Sequence, residues 1–147
     1  MDDDAANVWD DVPDWGGVGA RQLVRPPDGL LGASVWEFGP GSSQFVYHFH
    51  HGSEELLIVL RGSPTVRMHD GDRDLTEGDV VPFPRGPEGG HQIRNDGDAP
   101  ARVVIVSTNT DPDVAEYPET GKVATIVGRA ERFYRAADAI EHAGPEA

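Results

Sequence analysis

Gly41-Ser42-Ser43-Gln44-Phe45-Val46-Tyr47-His48-Phe49-His50-His51-Gly52-Ser53-Glu54-Glu55-Leu56-Leu57-Ile58-Val59-Leu60-Arg61-Gly62 is the stretch on which the reading of this chain turns. Successive side chains of an extended strand alternate between faces, so His48 and His50 project to one side while Tyr47, Phe49 and His51 point to the other. That is the simplest way for one strand to offer two imidazoles to a single ion. The same stretch offers a carboxylate at Glu54 or Glu55; alternation does not choose between them, because Leu56-Leu57-Ile58-Val59-Leu60 is apolar on both faces. A second cluster, Gly78-Asp79-Val80-Val81-Pro82-Phe83-Pro84-Arg85-Gly86, is followed by His91 and Asn95. Three imidazoles and a carboxylate are a donor set suited to a divalent transition metal.

Working outward, the chain reads as short strands punctuated by turns. Extended runs are expected near 21–25, 31–38, 44–50, 55–61, 64–69, 72–75, 79–83, 91–95 and 101–108. The separators are Asp28-Gly29, Gly39-Pro40-Gly41, Arg61-Gly62-Ser63-Pro64, Asp70-Gly71, Glu77-Gly78 and Asp96-Gly97. Asp-Gly between extended runs marks tight hairpins, since both residues tolerate positive φ. Eighteen glycines and twelve prolines disfavour long helices. The expected fold class is therefore all-β, an antiparallel sandwich or barrel.

Beyond Thr108, the segment from Asp111-Pro112 to Tyr117-Pro118 is expected to cross the outside of the barrel, followed by a last extended piece, Val123 to Val127. Gly128 to His142 fits a short C-terminal helix, with Phe133, Ala136, Ala137 and Ile140 at i, i+3, i+4 and i+7. The expected organisation is an acidic N-terminal arm over 1–20, a barrel domain over 21–128 and a helix and tail over 129–147. The arm holds six aspartates and Gly16-Gly17. Its Trp9 and Trp15 are large enough to pack it onto the barrel or onto a neighbouring subunit.

The spacings Gly41-x6-His48-x-His50-x4-Glu55-x6-Gly62 and Gly78-x5-Pro84-x-Gly86-x4-His91-x3-Asn95 resemble the two motifs of the cupin superfamily, over about residues 20 to 110. The resemblance implies a double-stranded β-helix, or jelly-roll barrel, and it selects Glu55 as the carboxylate ligand. It also implies one divalent ion (Zn, Fe, Mn or Ni) held by His48, His50, Glu55 and His91. There are two departures: one extra residue before the histidine pair, and Pro87-Glu88-Gly89-Gly90 ahead of His91 where many cupins have two residues. Without a metal, inward histidines left unsatisfied would cost roughly 1 to 3 kcal/mol each. His51 is out of phase, His69 abuts a hairpin turn and His142 lies near the C-terminus, so these three are read as non-ligands. Glu54 is read as a supporting or surface acid. Trp36, Phe38, Phe45 and Phe83 are expected in the core.

Composition narrows the partners. The net charge of −14 repels phosphate backbones and the eleven arginines are scattered, so no nucleic-acid binding is expected. No apolar run approaches the ~20 residues of a membrane span, and Met1-Asp2-Asp3-Asp4 is unlike a signal-peptide head, so a cytoplasmic protein with no membrane partner is expected. The absence of cysteine excludes thiolate metal sites and disulfides. Acidic residues outnumber basic ones by 26 to 12, with Lys122 the single lysine. That balance fits either a salt-adapted source or a GC-rich genome with an ordinary acidic surface.

No serine carries a nucleophile-elbow pattern, and Gly16-Gly17-Val18-Gly19 lacks the Lys-Ser/Thr of a phosphate loop. The expected function is a metal-dependent cupin enzyme acting on a polar small molecule, by dioxygenase-, isomerase- or decarboxylase-type chemistry. The alternative is a metal-anchored cupin that binds or senses a small molecule without turnover. Resemblance to single-domain cupins, together with the sheet edges a jelly roll leaves, implies a homodimer.

Overall fold

The computed structural model describes residues 5–25, 29–44, 46–141 and 144. Twelve strands occur among them: β1 (Val18–Val24), β2 (Gly32–Phe38), β3 (Phe49–His50), β4 (Glu55–Arg61), β5 (Thr65–Met68), β6 (Gly71–Asp74), β7 (Val80–Phe83), β8 (His91–Arg94), β9 (Ala101–Ser107), β10 (Asp113–Tyr117), β11 (Lys122–Val127) and β12 (Ala130–Arg135). One wall is a five-stranded antiparallel sheet in the order β1-β2-β9-β4-β7. The facing wall comprises β12-β11-β10-β3 and β6-β5-β8, which meet where His48 bridges His91. The all-β barrel expected from the turn pattern is present. No described helix is long and apolar enough to cross a membrane.

Period-two alternation builds the core. Leu57 and Val59 of β4, Val81 and Phe83 of β7, and Val103 and Ile105 of β9 meet Val66, Met68 and Ile93 of the other wall. Phe38 and Phe83 are buried and Trp36 packs against the cluster, as expected of core aromatics. Phe45 and His142, along with Asp28 of the first turn signal, lie outside the described residues. The same alternation turns Glu55 inward, in register with Phe83 on one side and Ser107 on the other.

The expected C-terminal helix is a strand. Gly128 (φ 55) and Arg129 (φ 69) are both left-handed and close a two-residue hairpin between the paired Val127 and Ala130. The ladder from Val127↔Ala130 to Lys122↔Arg135 then satisfies the backbone, which leaves only a 3-10 turn at Ala136–Asp138. Phe133 packs its ring 5.8 Å from Tyr117. A short apolar pattern fits either periodicity, and the hairpin turn decides it here.

The second correction concerns the segment expected to cross outside the barrel. Asp113–Tyr117 is β10, paired with β3 on one side and β11 on the other, and its Asp113 and Ala115 are buried. The run expected at 44–50 is regular only at Phe49–His50. Between the bridges Ser43↔Arg94 and His48↔His91 the first segment advances five residues against three on β8.

At the N-terminal end, the buried Arg102 donates to the carbonyls of Val8 (2.9 Å) and Asp10 and pairs with Glu37 at 2.7 Å. The Trp9 ring lies 5.8 Å from the guanidinium carbons of both Arg61 and Arg102. This aromatic therefore packs against the outer face of the five-stranded sheet. Trp15 is 61% exposed.

Candidate metal centre

His48 and His91 are directly opposed, each backbone N–H donating to the other's carbonyl (3.2 and 3.0 Å). Opposed residues of an antiparallel pair share a face, so the two rings converge, with centroids 4.8 Å apart. His50, two residues on, keeps the same face, and its ring centroid lies 5.3 Å from that of His48. Glu55 arrives from the opposite wall. His48, His50 and Glu55 present ligand atoms that all lie within 4.8 Å of one another. His91 completes the group from the side, its Nε2 3.3 Å from Glu55 Oε2. All four residues picked out in the sequence therefore meet.

The other sequence-level assignments fall outside this cluster. His51 points away and pairs with Glu116 at 2.7 Å, and Glu54 is exposed with Arg85 at 4.0 Å. Tyr47, on the face opposite the histidine pair, lies under the Arg67 guanidinium at 4.9 Å.

The hydrogen bonds of the three rings set which nitrogen carries the proton. His48 Nδ1 lies 3.1 Å from the Val46 carbonyl, His50 Nδ1 2.8 Å from Asp113 Oδ2, and His91 Nδ1 2.9 Å from the Gly89 carbonyl. Each partner only accepts, so each Nδ1 is the N–H and each Nε2 keeps a bare lone pair. His91 Nε2 is buried with no hydrogen-bond partner among the described residues. Its 3.3 Å approach to Glu55 aims a lone pair at the carboxyl group. Three imidazole nitrogens and one carboxylate converging in this way are a donor set that a divalent ion fits.

The electrostatics agree. Burial, reinforced by His50, lowers His48 from its ordinary value to about 4. Burial, reinforced by His48, lowers His91 to about 3. Both rings are therefore neutral at physiological pH, the form a metal binds. Burial raises the Glu55 carboxyl, opposed by His50 and reinforced by Asp113. A carboxylate that resists ionising in isolation ionises against a cation.

Three residues that sequence reasoning missed surround the cluster. Asp113 sits two residues from Ala115, which opposes His50, so it shares that face and reaches the ring diagonally. Burial alone would raise its carboxyl, but bonds from Ser53, the Gly52 N–H and His50 outweigh this and hold it below its ordinary value. Tyr117, two residues the other way, stacks on His48 with centroids 5.5 Å apart, and burial raises its hydroxyl pKa. Phe83, read in the sequence as core filler alone, lies face to face with His91 at 3.7 Å and 6°. An Asp-x-Ala-x-Tyr alternation was visible at 113–117, but nothing in the sequence tied it to the histidines.

His50, Glu55 and Asp113 form part of the wall of a cavity of about 390 Å3 that continues to Gln22, Arg25, Asn109 and Arg129. The volume falls in the range of small-molecule sites, roughly 300 to 1,000 Å3.

Comparison with known proteins agrees with this geometry. The Cupin_2 family, a cupin domain, matches residues 34–107. The chain is 32% identical over 114 residues to the tetracenomycin polyketide synthase protein TcmJ of Streptomyces glaucescens, covering 74% of this chain and 70% of that protein. Among solved structures it is similar to a cupin-superfamily sugar phosphate isomerase from Silicibacter pomeroyi, at 25% identity and a TM-score of 0.75, covering 86% and 82% of the two chains. The polyketide cyclase RemF of Streptomyces resistomycificus, at 23% identity and a TM-score of 0.56 over 65% and 67% of the two chains, shares the fold.

Proposed function

This chain belongs to the cupin superfamily, and from that premise we propose that it is a metal-dependent enzyme moving a proton on a polar, hydroxylated small molecule, an isomerase-type reaction. One observation carries the reading: the Nε2-directed cluster of His48, His50, Glu55 and His91 adjoins a cavity whose lining also includes Arg25, Asp111 and Arg129. Similarity to the Silicibacter sugar phosphate isomerase supports the reaction class. The arginines and carboxylates of the lining favour a substrate with polar groups.

The four residues would hold one divalent ion, which when bound polarises a substrate carbonyl or hydroxyl oxygen. Asp113 orients His50 and fixes its Nδ1 proton. Phe83 and Tyr117 pack against His91 and His48 and keep water from those rings. The Tyr117 hydroxyl, with its pKa raised by burial and then by Glu131 and Glu55, stays protonated at neutral pH.

The test is exchange of substrate carbon-bound hydrogen with deuterated water, followed by proton NMR on the metal-loaded protein with a panel of aldose and ketose phosphates. Metal-dependent loss of a C–H signal next to the carbonyl supports the proposal. Saturable binding without exchange would instead indicate the non-catalytic binding module. Oxygen consumption would indicate a dioxygenase.

A further inference from the structure

Seven of the eleven arginines, Arg21, Arg61, Arg67, Arg73, Arg85, Arg94 and Arg102, have a carboxylate within 4.0 Å. With a net charge of −14 such pairing is unsurprising. Arg25, Arg129, Arg132 and Arg135 have no acidic partner among the described residues. Two of these four, Arg25 and Arg129, line the cavity that also contains His50 and Glu55. Asp111 lies in the same wall, but both its oxygens accept the Gly128 N–H at 3.0 Å instead of neutralising a guanidinium.

The backbone that places these groups is irregular in a consistent way. Asn109 (φ 45) and Arg129 (φ 69) are the two non-glycine residues with positive φ among those described, and both line this cavity. At Arg129 this backbone belongs to the β11–β12 hairpin turn, which brings the residue to the cavity wall. The β1–β2 pairing slips between Gln22 and Val24, and Gln22 Nε2 closes the slip by donating to the carbonyls of Val24 (2.8 Å) and Ala33 (3.0 Å). Arg25 follows directly. Bulges of this kind re-aim side chains beside active sites.

We propose that Arg25 and Arg129, with the Asn109 amide, form an oxyanion subsite in the exposed part of the wall of the cavity that also contains His50 and Glu55, taking the phosphate or carboxylate of the substrate whose carbonyl end faces those two residues. The inference rests on reading the cavity as the substrate site. It goes further by dividing that site into metal-binding and anion-binding groups within one chain. Guanidinium forks suit such groups because they donate paired N–H bonds to two oxygens at once.

The test titrates inorganic phosphate, and separately acetate, by calorimetry into the full-length protein, both metal-loaded and after chelator treatment. The chelator-treated arm removes binding of the anion to the metal. The expected result is saturable binding of at least one anion, weakened by about tenfold or more in Arg25→Gln/Arg129→Gln, as loss of charge-assisted hydrogen bonds predicts. Whichever anion saturates identifies the source. Arg132→Gln/Arg135→Gln, the same charge change on the exposed β12, should leave binding unaltered. Absence of saturation, an unaffected Arg25/Arg129 variant, or equal losses in the two double variants would overturn the subsite. Failure of the metal reading shows separately, as unchanged metal content in His48→Ala/His50→Ala.

Discussion

Asp113 Oδ2 accepts the Nδ1 proton of His50 at 2.8 Å across 63 residues of chain, while Asp113 Oδ1 accepts from the backbone N–H groups of Gly52 and Val114, each at 2.8 Å. One carboxylate therefore orients the imidazole and anchors the turn that follows it. A carboxylate on the distal nitrogen of a ligating histidine fixes the tautomer and raises its basicity.

Asp113→Asn keeps an oxygen for Gly52 and Val114 but sets an amide N–H against His50 Nδ1, forcing the proton toward Nε2. Metal affinity should fall about 10- to 100-fold with the fold retained. Competition against a metal indicator dye, alongside circular dichroism, checks this. An unchanged affinity would remove Asp113 from the site.

His48→Ala/His50→Ala should strip the ion, one per chain, leaving too few donors for a stable site. Elemental analysis of both proteins decides the matter. Full stoichiometry in the double variant would show that the ion sits elsewhere.

Gly89→Ala should destabilise the barrel by about 1 to 3 kcal/mol, as overpacking typically does. An added Cβ there overlaps the Pro84 carbonyl oxygen, and the Gly89 carbonyl holds His91 Nδ1 at 2.9 Å. Metal affinity should drop together with the melting temperature. A drop in neither would mean that the Pro87–Gly89 turn moves freely.

A homodimer is the expected assembly. Leu56, Ile58 and Leu60 on the outer face of β4 are only half-buried, and beside them Val80 and Leu31 are 54% and 61% exposed. Such an apolar strip beside an edge strand suits a second copy of the chain. Light scattering should give twice the chain mass, and Val80→Glu should shift it toward the monomer. A monodisperse wild-type monomer would end the proposal.

Melting temperature should rise between low and molar salt. The charge of −14 makes the compact state repel itself, and added ions screen that repulsion within a Debye length of ~3 Å at 1 M. Surface ion pairs weaken under the same conditions, but each contributes little. A flat or falling curve, measured with a non-chelating anion, would show an ordinary solvated acidic surface.

The barrel was legible in the sequence because turns and alternation are local: glycine-marked turns such as Gly62 and Gly78 (φ 83 and 88) and a period-two core leave few alternatives. The pairing of His48 with His50 was legible for the same reason. Alternation could not choose between Glu54 and Glu55, since β4 is apolar on both faces; the motif resemblance selected Glu55, and the packing of Leu57 and Val59 into the core shows why it points inward. The C-terminal strand was misread because its apolar spacing fits a helix, and the Gly128-Arg129 turn that decides it contains an arginine in a conformation arginines seldom adopt. What only the tertiary structure decided is which distant strands lie side by side. Register between β3 and β10 brings Asp113 to His50 and Tyr117 toward His48, and the β11–β12 turn carries Arg129 to the same cavity as Arg25. Those pairings depend on how the walls close around the core, a non-local packing outcome that no spacing within one segment encodes.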